Sequence, residues 1–264
     1  MDVNPVDDLN VRKALSLAID RNMITDKILR DGSVPAAAFV APTFNLSDGK
    51  SMRKMDANGK VEEEFEIKPW AAKEEEAKKY LADAGYPDGE GFPELELLYS
   101  QRGNESLIAE ALQQMWEKTL GIKVKLKAEE WSVFLDTRRS GNFVVAMGGW
   151  SADYNDPMTM LALFTSTGLN DARWRWQKYE GDRGDDVLNP ENQAYDEAVN
   201  VASEISGAER DEAMIKAENI LMENMVIAPL YYSPYKHLIN FSKVDGPGRI
   251  PIGQWDFQYY KMVQ

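Results

Sequence analysis

Cysteine is absent from all 264 residues, and histidine occurs once, at His237. The first absence excludes disulfides, thiolate nucleophiles, Fe–S clusters and cysteine-based zinc sites together. The second removes most histidine-dependent catalytic and metal constellations. No run of about 18 or more apolar residues exists, so nothing in the sequence predicts a membrane-spanning helix. A basic-then-apolar amino terminus of the signal-peptide kind is missing too. The opening MDVNPVDDLNVRKAL reads instead as a Met placed before an interior segment.

Positive charge is also in short supply. Lys and Arg total 30 against 44 Asp and Glu, a formal net charge of −14, and no basic cluster offsets the excess. Such a surface repels phosphate backbones and anionic lipid, so neither nucleic acid nor membrane insertion is expected. Walker, HExxH and CxxC motifs are lacking. The loop GYPDGEGFP (residues 85–93) precedes a strand rather than joining a strand to a helix, so it is no phosphate cradle. No cofactor or metal is therefore expected. What is there is ordinary globular material: 44% hydrophobic residues, enough for a sizeable core.

Periodicity outlines the elements. Val11, Ala14, Leu15, Ala18 and Ile19 share one helix face, and Asp20 suits the N-cap of a shorter helix carrying Met23, Ile24 and Ile28. Residues 31–60 are loop-like, broken by Gly32, Pro35, Pro42, Gly49 and Gly59. A charged helix over 71–84 ends where Gly85 suits a left-handed cap. Then follow a strand at 94–100, a helix at 105–119 and a strand in which Ile122, Val124 and Leu126 alternate with lysines. A helix at 131–138, a strand at 143–147 and a helix from 157 to 163 come next. After a polar loop at 166–190, helices are predicted at 192–205 and 208–223, strands at 227–232 and 236–241, and a terminal strand in QWDFQYYKM. Strand, helix, strand, helix, strand indicates an α/β fold. Trp116 lies on an apolar helix face and reads as core; Trp131 and Trp150 flank strand ends and read as pocket walls. The runs 62–64 and 74–76, all Glu, read as solvated faces.

The most distinctive segment is GGWSADYNDP, residues 148–157, at the end of an apolar strand. That is where α/β sheets place ligand sites. Its glycines allow close backbone approach, Trp150 is a flat apolar wall, and Asp153 is a fixed negative charge. Three plainer or rival readings stand beside this. Asp153, Asn155 and Asp156 can be turn formers, with Asp156 the cap of the next helix. A calcium loop starting at Asp153 fails, because its sixth and twelfth residues are Met158 and Phe164 rather than Gly and Glu. A serine hydrolase built on Ser151 and His237 would need the final glycine of a nucleophile elbow, which is Asp153 here.

Five segments in order carry a resemblance: residues 10–24 (NVRKALSLAIDRNMI), 75–100 (EEAKKYLADAGYPDGEGFPELELLYS), 120–143, 149–157 (GWSADYNDP) and 217–232. Together they resemble the carboxyl-terminal lobe of the family 5 oligopeptide- and dipeptide-binding solute-binding proteins of ABC importers. The resemblance implies one lobe of a type II periplasmic-binding-protein-like clamshell, a mixed sheet flanked by helices. Residues 1–264 would be that lobe, with the amino-terminal lobes missing and residues 243–264 crossing back towards them. It further implies a monomer outside the cytoplasm that binds peptides, partners the permease subunits and catalyses nothing. By the same resemblance Asp153 pairs with the ligand α-ammonium, and Gly149 and Ser151 pair with the peptide main chain. Trp150, Trp131 and Tyr154 line the pocket, and Arg138 meets a ligand carboxylate. A second arginine of the family pattern is Met147 here, which keeps nickel chelates, opines and oligosaccharides open as ligands.

Overall fold

The computed structural model describes residues 4–57, 60–168, 190–234, 240, 242–245 and 261–262. Helix α1 (Leu9–Leu17) starts where the Asp8 side chain accepts the Asn10 amide at 2.7 Å, and it buries Val11, Ala14 and Leu15. Asp20 caps α2 (Arg21–Met23) as expected, taking the Met23 amide at 3.0 Å. The helix then widens to π geometry over Ile24–Leu29 and stops at Arg30, which adopts left-handed φ of 50°. Nothing in an apolar spacing distinguishes a π turn from an α turn, so the sequence shows only the helix.

A parallel sheet of order β3-β2-β4 forms the centre: β2 Leu95–Ser100, β3 Val124–Glu129 and β4 Val145–Ala146. β2 is buried along nearly its whole length, which explains why LELLYS lacks alternation: a central strand is covered on both faces. β3 keeps its alternation because it is an edge, with Lys125 exposed and paired to Glu96 at 3.1 Å. It starts two residues later than the alternating run suggests. β4 is shorter than the expected strand, pairing only at Leu97–Val145 and Leu98–Ala146, with one more bond from the Met147 amide to Leu98 at 2.8 Å.

Helices α3 (Glu74–Asp83), α4 (Glu105–Leu120) and α5 (Trp131–Ser140) make the crossovers and cover. One core gathers α1, α3, α4 and the sheet, including Ile108, Leu112 and Trp116, whose Nε1 donates to the Leu15 carbonyl at 2.8 Å. A second core lies between α6 (Met158–Leu161), α7 (Pro190–Glu204), α8 (Ala208–Glu223) and the irregular stretch around Val40 and Phe44. Two short antiparallel pairs complete the description: β1 (Val34–Pro35) with β5 (Tyr231–Tyr232), and β6 (Val244–Asp245) with β7 (Lys261–Met262). The expected strand at 227–232 is thus confined to its last two residues. Of the expected strand at 236–241 only Asn240 is described, without strand conformation, and His237 lies outside the described residues.

One sequence expectation needs correcting. Glu64 is not a solvated side chain: only 10% exposed, it pairs with Arg53 at 3.0 Å. Arg53 also meets Glu218 of α8, and both of those side chains are 2% exposed. Burial without the tertiary partner is not readable from a run of glutamates.

Candidate functional site

Three connections leave the carboxyl edge of the parallel sheet. Arg102 follows β2, Trp131 opens α5 directly after β3, and residues 147–157 follow β4. This edge is where α/β sheets present ligand sites, because side chains and backbone there are held by the sheet yet not covered by it.

The segment after β4 bridges the two cores. At one end the Met147 amide is tied to β2, and its side chain packs on the sheet core. At the other, Met158, Met160 and Leu161 are buried in the helical core. Asp156 is the anchor between them. It takes the Met158 amide at 2.9 Å, and both its oxygens receive Arg210 nitrogens at 2.8 Å. Arg210 also donates from Nε to the Ala202 carbonyl at 3.0 Å. Burial opposes charge on Asp156, but the Arg210 and Met158 hydrogen bonds and the Arg210 charge outweigh it and hold the carboxyl below its ordinary range. Asp156 thus acts in the turn-and-cap role expected of it.

Between these anchors the chain is open. Among the described residues, Gly148, Gly149, Trp150, Ser151 and Ala152 take part in no hydrogen bond, and a Cβ added to Gly149 would meet nothing within 4 Å. Trp150 is 42% and Tyr154 51% exposed. The Asp153 backbone amide donates to Thr159 Oγ1 at 3.0 Å, which fixes the backbone, while its exposed carboxylate accepts no hydrogen bond and forms no ion pair among the described residues. Partial burial, then the charges of Asp156 and Asp153, push the Tyr154 hydroxyl above its ordinary range. The two carboxylates therefore both act on Tyr154, and only that of Asp156 is neutralised by Arg210.

Helix α5 supplies the neighbouring wall. Trp131 stacks on the buried Phe134 with ring centroids 5.7 Å apart, and the Arg102 guanidinium lies 4.2 Å above its ring. Arg138 sits against Gly148, where an added Cβ would come within 2.8 Å of its Nη1. Burial and then the Arg139 charge lower the Arg138 pKa, opposed by Glu105. So the structure brings Arg138 beside the segment carrying Gly149, Trp150, Ser151, Asp153 and Tyr154, with Trp131 at the head of the same helix.

Sequence reading missed Arg102 and Arg210. Arg102 had a usable signal, since it follows a strand at the sheet's carboxyl edge. Arg210 had none, because its partner lies 54 residues away.

A sequence profile described as "Bacterial extracellular solute-binding proteins, family 5 Middle" matches residues 1–171. The chain belongs to this family. It is 34% identical over 228 residues to the periplasmic oligopeptide-binding protein OppA of Salmonella typhimurium, covering 86% of the chain and 37% of the relative. Among solved structures, the periplasmic oligopeptide-binding protein OppAIV of Borrelia burgdorferi matches with a TM-score of 0.74 and 32% identity, over 100% of this chain and 47% of that one. The Haemophilus influenzae OppA complex with RPPGFSPFR matches with a TM-score of 0.70 and 31% identity, over 98% and 46% respectively. The family 5 chain therefore has the expected periplasmic-binding-protein-like α/β fold, and it spans less than half the length of these relatives.

Proposed function

We propose that this family 5 chain is the carboxyl-terminal lobe of the solute-binding component of an ABC importer, which captures extended peptides outside the cytoplasm and delivers them to permease subunits. The observation that carries the reading is the unpaired backbone run 148–152 beside an edge strand, ending at a carboxylate with no partner among the described residues. An extended peptide can add to such a backbone as a strand, so main-chain bonds supply affinity without sequence preference. Asp153 then neutralises the incoming α-ammonium, a cation that needs a hydrogen-bonded anion once water is excluded. Trp150, Tyr154 and Trp131 wall the pockets, Gly149 and Ser151 present backbone, and Arg138 faces a ligand carboxylate. The names of the relatives, oligopeptide-binding proteins, favour the same ligand class.

The test is calorimetry on the full-length protein with short peptides and their N-acetylated forms. Removing one partner of a buried ion pair costs about 3–5 kcal/mol. Asp153→Ala should therefore weaken peptide binding by about a hundredfold or more. Glu75→Ala, on the exposed face of α3, should leave it unchanged. An exposed pair is worth only about 0–1 kcal/mol, so residues 1–264 alone should bind far more weakly. Micromolar binding by the isolated chain, or equal affinity for acetylated peptides, would contradict the reading.

A further inference from the structure

We propose that Arg102 is a specificity-determining residue: its guanidinium, laid on the Trp131 ring, forms a subsite for a carboxylate of the bound ligand. The inference rests on the peptide-binding reading above and adds a selectivity to it.

The geometry separates two uses of one side chain. The guanidinium carbon lies 4.2 Å from the ring centroid, within reach of the π system. Its five N–H donors form a planar fork that an attraction to the ring does not use up and that can meet a carboxylate bidentately. Trp131 itself stacks on Phe134, which is buried, so the platform is tied to the core. Arg102 is exposed, and among the described residues no acceptor engages its guanidinium. This is unexpected in a chain with fourteen more acids than bases.

Glu105, just after Arg102, and Glu129 and Glu130, just before Trp131, are engaged elsewhere. Glu105 takes the Ser100 amide and hydroxyl at 3.2 and 2.5 Å. Glu130 caps α5 through Ser132, and Glu129 pairs with Lys127 at 3.2 Å. The cation is thus presented rather than consumed. Its place on the sheet gives the site a polarity. Arg102 and Trp131 follow β2 and β3, whereas Asp153 follows β4 on the opposite side of β2. A ligand with its ammonium at Asp153 therefore offers Arg102 a carboxylate further along, either an acidic side chain or the carboxyl terminus.

The experiment uses the full-length protein and tetra-alanine peptides. Glu is placed in turn at positions two, three and four, each with its Gln counterpart, and the parent is compared with its carboxyl-terminal amide. A charge-assisted hydrogen bond predicts that one of these comparisons favours the acid by about tenfold. A side-chain source shows in a Glu/Gln pair, and a terminal source in the acid/amide pair. Arg102→Gln should bring the favoured ratio to near unity while the loss on N-acetylation persists. A ratio that survives in Arg102→Gln, or no acid preference in the unsubstituted protein, overturns the proposal. If acetylation has no effect, the Asp153 reading fails, and Arg102 is still decided by the acid ratios. Absence of binding by every tetrapeptide overturns both.

Discussion

At the residue scale the candidate site depends on side chains that lie outside the open run 148–152. Arg210 is the clearest case: it clamps Asp156 with two 2.8 Å bonds and thereby sets the loop on which Asp153 rides. The two side chains are 25% and 28% exposed, so the pair is worth more than a free surface ion pair, about 1–2 kcal/mol. The pH dependence follows from the direction of the Asp156 shift. A folded-state pKa below the unfolded value contributes stability that is complete above the unfolded value and is lost as pH falls through the folded one. Arg210→Ala should therefore lower stability at pH 6, and the gap should close below about pH 4. Denaturant melts across that range check it; a gap constant down to the lowest pH would contradict the assignment. Asp153 is legible in the sequence as a fixed charge after a strand. That its carboxylate has no partner among the described residues while Asp156 is neutralised is not legible, because both are acids in the same short loop.

At the element scale, two turns that look alike in sequence do different work. Gly85 and Gly121 both follow helices and both have positive φ, 93° and 70°. A Cβ on Gly85 would meet nothing within 4 Å, whereas one on Gly121 would come within 2.2 Å of the Asp88 carbonyl oxygen. The C-terminus of α4 and the turn at Pro87–Gly89 thus pack backbone against backbone. Gly85→Ala should cost only the left-handed strain of an L-residue, about 1–2 kcal/mol. Gly121→Ala should cost clearly more, since a backbone segment must move as well. Thermal melts of the two variants provide the comparison, and equal losses would refute it. Periodicity located nearly every helix and the three sheet strands, because the faces of α1, α4 and β3 each bury one stripe. It failed on strand length: β4 pairs with only two of the six residues of β2 before the chain leaves the sheet at Gly148.

At the scale of the whole molecule, polar rivets hold irregular stretches of chain against the helices. Arg53 meets Glu64 and Glu218, and Glu218 also takes the Val40 amide at 2.8 Å, fixing the irregular stretch to α8. Burial raises the Glu218 pKa, with the Arg53 charge, the Val40 amide and the Arg53 hydrogen bond opposing it. Arg53→Met leaves that carboxylate buried without its cation, at a cost of about 3–5 kcal/mol near neutral pH. A raised folded pKa means stability is greater below the unfolded pKa and is lost as pH rises. The deficit of the variant should therefore shrink as pH falls from 7 towards 5, where Glu218 can take up a proton. Chemical denaturation at the two pH values measures it; a deficit that grows on acidification would rule out this account. Arg21 plays a similar role between α1 and the approach to β5, donating to Pro229, Ser16 and Ile19 carbonyls. Burial brings its pKa down to about 9.

By itself the sequence determined the α/β layering, the position of the loop at residues 148–157 and the exclusion of thiol and most metal chemistry. Those follow from composition and from spacings within one element, which are local properties of the chain. Which acids are neutralised, which tryptophan carries a cation and which glycines tolerate no side chain were decided only by the tertiary structure. Each depends on a partner from a different stretch of chain: Arg210 for Asp156, Arg102 for Trp131, Asp88 for Gly121. The physical reason is that charge pairing and steric exclusion act over a few ångströms of space, and sequence distance carries no record of them.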